Sequence, residues 1–170
     1  PGGDGIYNHA TDNEKAFREN VGIEVMLDIL LATHNRGKIK EYRALLAGLP
    51  YKLVTLTEFG ITLKVSEAGS SFEENAIAKA TAYVGLGRLP TLAEDSGLEV
   101  DALGGEPGVY SARYAGESAT DADRIRYLLS RMEGIPRDKR TARFRCVIAL
   151  ALPGDRLEIF SGECEGIISF

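Results

Sequence analysis

The segment Met26 to Thr33 is apolar at every position except Asp28 and Thr33. A run of that length and composition suits a strand buried on both faces, not one with a face in water. Such a strand must be covered on both sides, which points to helices packed on a sheet. The next residues agree. His34, Asn35, Arg36 and Gly37 form a turn, and Lys38 to Leu49 then places Ile39, Tyr42, Leu45, Leu46 and Leu49 on one helical face. Gly48 and Pro50 end that helix.

The same reading extends along the chain. Tyr51 to Leu56 and Ile61 to Val65 are short strand candidates. Ser71 followed by Glu74 has the spacing of a capping box, opening a helix to about Val84 with Phe72, Ala76, Lys79, Ala80 and Tyr83 on one face. Pro90 to Ala93 is a short strand, Glu94 to Gly97 a break, and Leu98 to Leu103 a further strand. Thr120 caps a helix from Asp121 to Met132 with Ile125, Leu128, Leu129 and Met132 inward. Thr141 to Leu152 and Leu157 to Glu165 are strands of a hairpin turning at Pro153, Gly154 and Asp155. The expected order is β-α-β-β-α-β-β-α-β-β, an α/β fold with a long, twisted, mixed sheet flanked by helices.

At 170 residues the chain is long enough for one domain with a real core. We expect that domain at 26–170, after an N-terminal extension at 1–25 carrying a short helix from Asp12 to Glu19. The chain stops inside the apolar run Gly166 to Phe170, so the domain reads as incomplete at its C-terminus. A net charge of −5 argues against a general nucleic-acid coat. No stretch is apolar for long enough to cross a membrane, and the N-terminus lacks the pattern of a secretory signal. Cys146 and Cys164 lie in strand-like runs and read as buried thiols, which fits a reducing cytoplasm.

Three groups of residues could carry chemistry. Thr33, Asn35 and Lys38 sit where a strand ends and a helix begins, a place whose free N–H groups and partial positive charge favour phosphate. The alternative there is a plainly capped helix. Glu73, Glu74, Glu94 and Asp95 offer hard oxygen ligands suited to Mg²⁺, which also bridges phosphate oxygens. Plain capping and a turn are the alternative. Gly104 to Tyr114 is a glycine-rich loop whose Ser111 and Arg113 could reach an anion, or whose Tyr110 and Tyr114 could simply pack. The basic run Arg137 to Arg145 reads as a solvated strand face. Together these suggest Mg²⁺-dependent hydrolysis of a phosphoanhydride.

Leu31 to Lys38, Ser71 to Ala80, Glu94 to Gly116, and the pair Phe144 to Cys146 with Gly162 to Gly166 jointly resemble the inosine triphosphate pyrophosphatase family. The resemblance implies two lobes around a nucleotide cleft. It implies hydrolysis of noncanonical purine nucleoside triphosphates, those of inosine, deoxyinosine and xanthosine, to the monophosphate and pyrophosphate. It further implies Mg²⁺ and a homodimer. Thr33, Asn35 and Lys38 resemble the phosphate-contacting loop, and Ser96 and Gly97 the turn beside the phosphates. Ser111 and Arg113 fall in a motif near the cleft. Glu74, Glu94 and Asp95 resemble metal-binding positions, with Asp95 also the expected general base.

Three departures qualify that expectation, one being that residues 1–25 precede the family's usual start. Glu94 stands where the family usually has aspartate, adding a methylene to an arm that must place its carboxylate accurately. The family's glycine-rich turn, Gly-Phe-Gly-Tyr-Asp-Pro segment and Ser-His-Arg motif, which read the purine, do not come after Ile167 here. Base preference is therefore not legible, and a member that binds nucleotide or metal without turnover is the alternative.

Overall fold

The computed structural model describes residues 27–169. The extension, with the helix expected at Asp12 to Glu19, lies outside the described residues. Five strands form one mixed sheet: β1 (Leu27–Leu31), β2 (Tyr51–Thr55), β3 (Thr91–Val100), β4 (Thr141–Leu152) and β5 (Arg156–Ile167), in the spatial order β2-β1-β3-β4-β5. The pairs β1–β2 and β1–β3 are parallel, whereas β3–β4 and β4–β5 are antiparallel. Among the described residues three α-helices accompany them: α1 (Arg36–Leu45), α2 (Phe72–Gly87) and α3 (Asp121–Arg131). The α/β class and the mixed sheet agree with the sequence.

The side chains sort by strand alternation. Leu30, Ala32, Ala93, Val147, Ala149 and Ala151 share a buried cluster with Phe72, Ala76, Ala80 and Tyr83 of α2. Val100 and Ala142 point to the opposite face and are closed over by Met132, Leu128 and Leu98. The core is thus two clusters, one under α2 and one at the far end of β3 and β4 beneath α3. Arg140 ties the second together: its buried guanidinium donates to the carbonyls of Met132 and Ile168.

Local chemistry explains the helix starts. Asn35 caps α1 by accepting from the backbone N–H groups of Gly37 and Lys38 at 2.8 and 3.3 Å. Ser71 caps α2 through the N–H of Glu74. Glu74 does not complete the reciprocal half at Ser71 but reaches Ser70 instead. Thr120 and Asp123 form a full capping box on α3.

Several local expectations change. The break at Glu94 to Gly97 does not exist: β3 is continuous, and each of its residues pairs with β4. A carboxylate pair is tolerated in an inner strand because each side chain finds a partner on another element. Ile61 to Val65 is not a strand, since Tyr83 from α2 meets its backbone. The Tyr83 hydroxyl donates to the Leu63 carbonyl at 2.9 Å and accepts from the Val65 N–H at 3.3 Å. The first helix stops at Leu45, not Leu49. Ile125 is 58% exposed and not inward. Cys164 is exposed because β5 lies at the outside of the described sheet and buries little of its length, and Cys146, on β4, is only half-buried.

Gly97 has a steric reason that sequence alone does not reveal. A Cβ there would meet the Ser111 hydroxyl oxygen, and would stand 2.5 Å from the Gly108 carbonyl oxygen and 3.0 Å from the Phe72 ring. Ser111 in turn accepts from the Leu98 N–H at 2.9 Å and donates to the Gly108 carbonyl at 2.6 Å, pinning the Gly108–Arg113 3₁₀ segment onto β3. Gly97→Ala should therefore destabilise the fold by about 1–3 kcal/mol, seen as a lower urea midpoint with an unchanged slope.

Candidate active site

The sheet order places one position apart from the rest. From β1 the chain crosses by α1 to β2 on one side, while β3 pairs on the other. Between β1 and β3 the topology reverses, and the carboxyl ends of such strands form a crevice. Here the crevice deepens because β1 stops early. Its last ladder partner is Leu31 with Leu92, and the Thr33 N–H turns back to the Leu31 carbonyl at 2.9 Å. β3 runs on through Glu94 and Asp95 with no parallel neighbour beside them.

A cavity of about 400 Å³ fills this position. Of the residues expected from the sequence, it is lined by Thr33, Asn35, Lys38, Glu94, Asp95, Ser96 and Arg113. Gly97 and Ser111 line instead an adjoining, more apolar cavity of about 490 Å³ that shares Asn35, Lys38 and Ser96 with the first. Glu74 lines neither. Its carboxylate accepts from the Ser70 N–H at 2.7 Å and hydroxyl at 2.9 Å, bonds that hold it below the usual carboxylate range.

Sequence reasoning missed three charged cavity residues, Lys64, Glu67 and Lys79. Lys79 carries a signal: a lysine on the apolar face of α2 needs a buried partner to be there. Asn75, also on that face and 1% exposed, carries the same signal. Glu67 lies in an irregular segment where no periodicity marks it.

Glu94 and Asp95 are consecutive on a strand and so point to opposite faces. Asp95 turns toward α2, where it accepts from the Asn75 amide at 2.9 Å and lies 3.8 Å from the Lys79 ammonium. Lys79 also holds Glu67 at 2.6 Å, so one cation joins two carboxylates from different elements. Burial pushes the Asp95 carboxyl above its ordinary value, opposed by the Asn75 hydrogen bond and by Lys79. Glu94 turns toward α1 and forms an ion pair with Lys38. The thiol of Cys146, on the neighbouring strand, lies 3.6 Å from its other oxygen.

The remaining charged residues of the cavity are basic. Lys64 and Arg113 join Lys38 and Lys79. The Arg113 guanidinium is fixed by donating to the Glu67 carbonyl at 3.3 Å and by lying 5.0 Å from the centre of the Tyr110 ring. Cations converging beside a buried carboxylate at a strand end suit a polyanion whose charge must be neutralised while a proton is removed nearby.

Comparison with known proteins shows the family of the chain. Residues 29–170 match the model of the Ham1 family. A dITP/XTP pyrophosphatase of Geobacter sulfurreducens is 50% identical over 143 residues, covering 84% of this chain and 72% of that relative. One of Bacillus subtilis is 46% identical over 145 residues, covering 85% and 73%. Among solved structures, a HAM1 protein from Coxiella burnetii superposes with a TM-score of 0.77 at 44% identity, over 85% of this chain and 74% of that one. The Ham1 protein of Staphylococcus aureus gives 0.75 at 39% identity, over 84% and 72%. The matched range spans all of β3, α1 and α2, and the chain belongs to the Ham1 family.

Proposed function

We propose that this chain hydrolyses noncanonical purine nucleoside triphosphates, those of inosine, deoxyinosine and xanthosine, to the monophosphate and pyrophosphate. The observation that carries the reading is Asp95: a buried carboxylate, raised above its ordinary range, set among cations at the switch point of the sheet. The relatives named dITP/XTP pyrophosphatases support the substrate class.

In this reading Asp95 takes a proton from water as the water oxygen attacks phosphorus. The bond to the bridging oxygen breaks, and pyrophosphate leaves. The α1 N-terminus with Thr33, Asn35 and Lys38, together with Ser96 and Arg113, binds the phosphate chain. Asn75 orients Asp95 and keeps its pKa from rising further.

The donor set fits Mg²⁺. Among the described residues no cluster of three or more His, Cys, Asp or Glu is built to cage a metal. Mg²⁺ seldom needs one, since it binds through one or two carboxylates together with substrate phosphates and water. Asp95 and Glu67, already converging on one cation, are the pair that would hold it. When bound, the metal neutralises charge on the phosphate oxygens.

The same reading takes the enzyme as a cytoplasmic homodimer without nucleic-acid or membrane partners. The exposed Phe160 and Ile167 on β5 support an association surface, and no helix among the described residues is long and apolar enough to cross a membrane.

With dITP and Mg²⁺ the chain should release pyrophosphate, and Asp95→Asn should lower kcat by about 10²–10⁴-fold while leaving the far-ultraviolet circular dichroism unchanged. Nucleotide binding without pyrophosphate release in the unmodified chain would favour a binding role instead. Titration gives a second test. In the metal-free chain the Asp95 carboxyl, followed by ¹³C NMR, should titrate above the ordinary aspartate range. Asn75→Ala removes a bond that lowers the Asp95 pKa, and should move that titration to higher pH.

A further inference from the structure

The two acidic residues of β3 are alike in chemistry but are placed for different work. Asp95 faces α2, the cavity floor and Glu67. Glu94 faces α1, and both of its oxygens are engaged there. Oε1 pairs with the Lys38 ammonium, and Oε2 lies 3.6 Å from the Cys146 Sγ. Burial and the Glu94 carboxylate push the Cys146 thiol up to about 11, so it stays protonated and able to donate. Tyr42, one turn further along α1 than Lys38 and itself buried, closes the group from beneath against Cys146 and Glu94. The Glu94 side chain is 4% exposed and that of Lys38 28%, so the carboxylate is the fixed member and the ammonium the one that meets solvent.

Resting on the function proposed above, we infer that Glu94 is a positioning residue for Lys38 and not a metal ligand. It fixes the ammonium at the mouth of the phosphate cavity, across the strand from Asp95. The longer arm of glutamate has a use in this arrangement. The carboxylate spans from the strand to the first turn of α1, where a point charge on a flexible stem would otherwise sample many positions. A fixed cation stabilises charge as it develops on the phosphate chain without rearranging during the reaction. Because Glu94 also offsets the charge of Lys38, removing it should not weaken ground-state binding. The loss should fall on kcat.

The test compares the unmodified chain, Glu94→Ala, Lys38→Ala and the double variant. Glu94→Ala should lower kcat for dITP by about tenfold or more and change KM by less than about threefold. In the Lys38→Ala background the same substitution should change kcat by less than about twofold, since the two residues act as one unit. The Mg²⁺ concentration for half-maximal rate should not move. Equal losses in both backgrounds, or a Mg²⁺ requirement raised about tenfold, would overturn the inference in favour of an independent or metal-binding role. Glu94→Gln, nearly the same shape, takes the place of the alanine variant if that one fails to fold.

A readout independent of turnover separates this inference from the functional reading. In ¹⁵N-labelled protein the Lys38 ammonium should give a slowly exchanging Nζ signal that Glu94→Ala abolishes. Loss of the signal in a chain that releases no pyrophosphate would count against the proposed function but uphold the ion pair. A signal unchanged by Glu94→Ala would show that Glu94 does not hold Lys38.

Discussion

Two neighbouring carboxylates in an inner strand set the terms for everything around them. Buried charge is tolerated only where each ion is paired or hydrogen-bonded. Strand alternation sends Glu94 and Asp95 to opposite faces, so no single partner can serve both. One face must supply Lys38 from α1, and the other Asn75 and Lys79 from α2. The α/β layering is therefore more than a way to cover apolar strands. It brings two helices to the same point on the sheet from either side, and the cavity is the gap they leave at the end of β1.

The supporting structure keeps that point rigid. α2 contributes Ala76, Ala80 and Tyr83 to the core within the same helix that supplies Asn75 and Lys79, so the polar pair is held by the packing of its neighbours. Tyr83 further ties the irregular segment before α2 to the helix at both Leu63 and Val65, close to where Glu67 enters the cavity. On the opposite rim, Ser111 and the bare backbone of Gly97 fix the 3₁₀ segment that carries Arg113. Groups placed on well-packed elements in this way need little reorganisation when charge moves among them.

Local signals are legible where the chain solves its own local problem. The apolar run of β1, the capping residues Asn35, Ser71 and Thr120, and the hairpin turn at Gly154 and Asp155 all act within a few residues of themselves. Long-range partners are not. Glu94 and Asp95 read as a break because two acids in mid-strand are improbable without counterions, and the counterions lie on other elements. Lys79 shows itself only as an oddity on an apolar face, and Glu67 not at all. The steric role of Gly97 depends on Ser111 and Gly108, neighbours in space only. Cys164 reads as buried because its strand is apolar enough, but burial depends on what lies beyond β5.

The early end of β1 has a consequence for how such a site can vary. The ladder with β3 closes at Leu31, and the backbone turns away at Thr33 just as β3 presents Glu94. Extending β1 by a dipeptide would carry the ladder forward, cover both acids with main chain and push the α1 N-terminus outward. Shortening it would strip the walls from the crevice and let water reach Asp95 freely. The depth of the cleft is thus counted in residues of one strand. A change of length there would alter what fits beside the carboxylates without touching any group that does the chemistry.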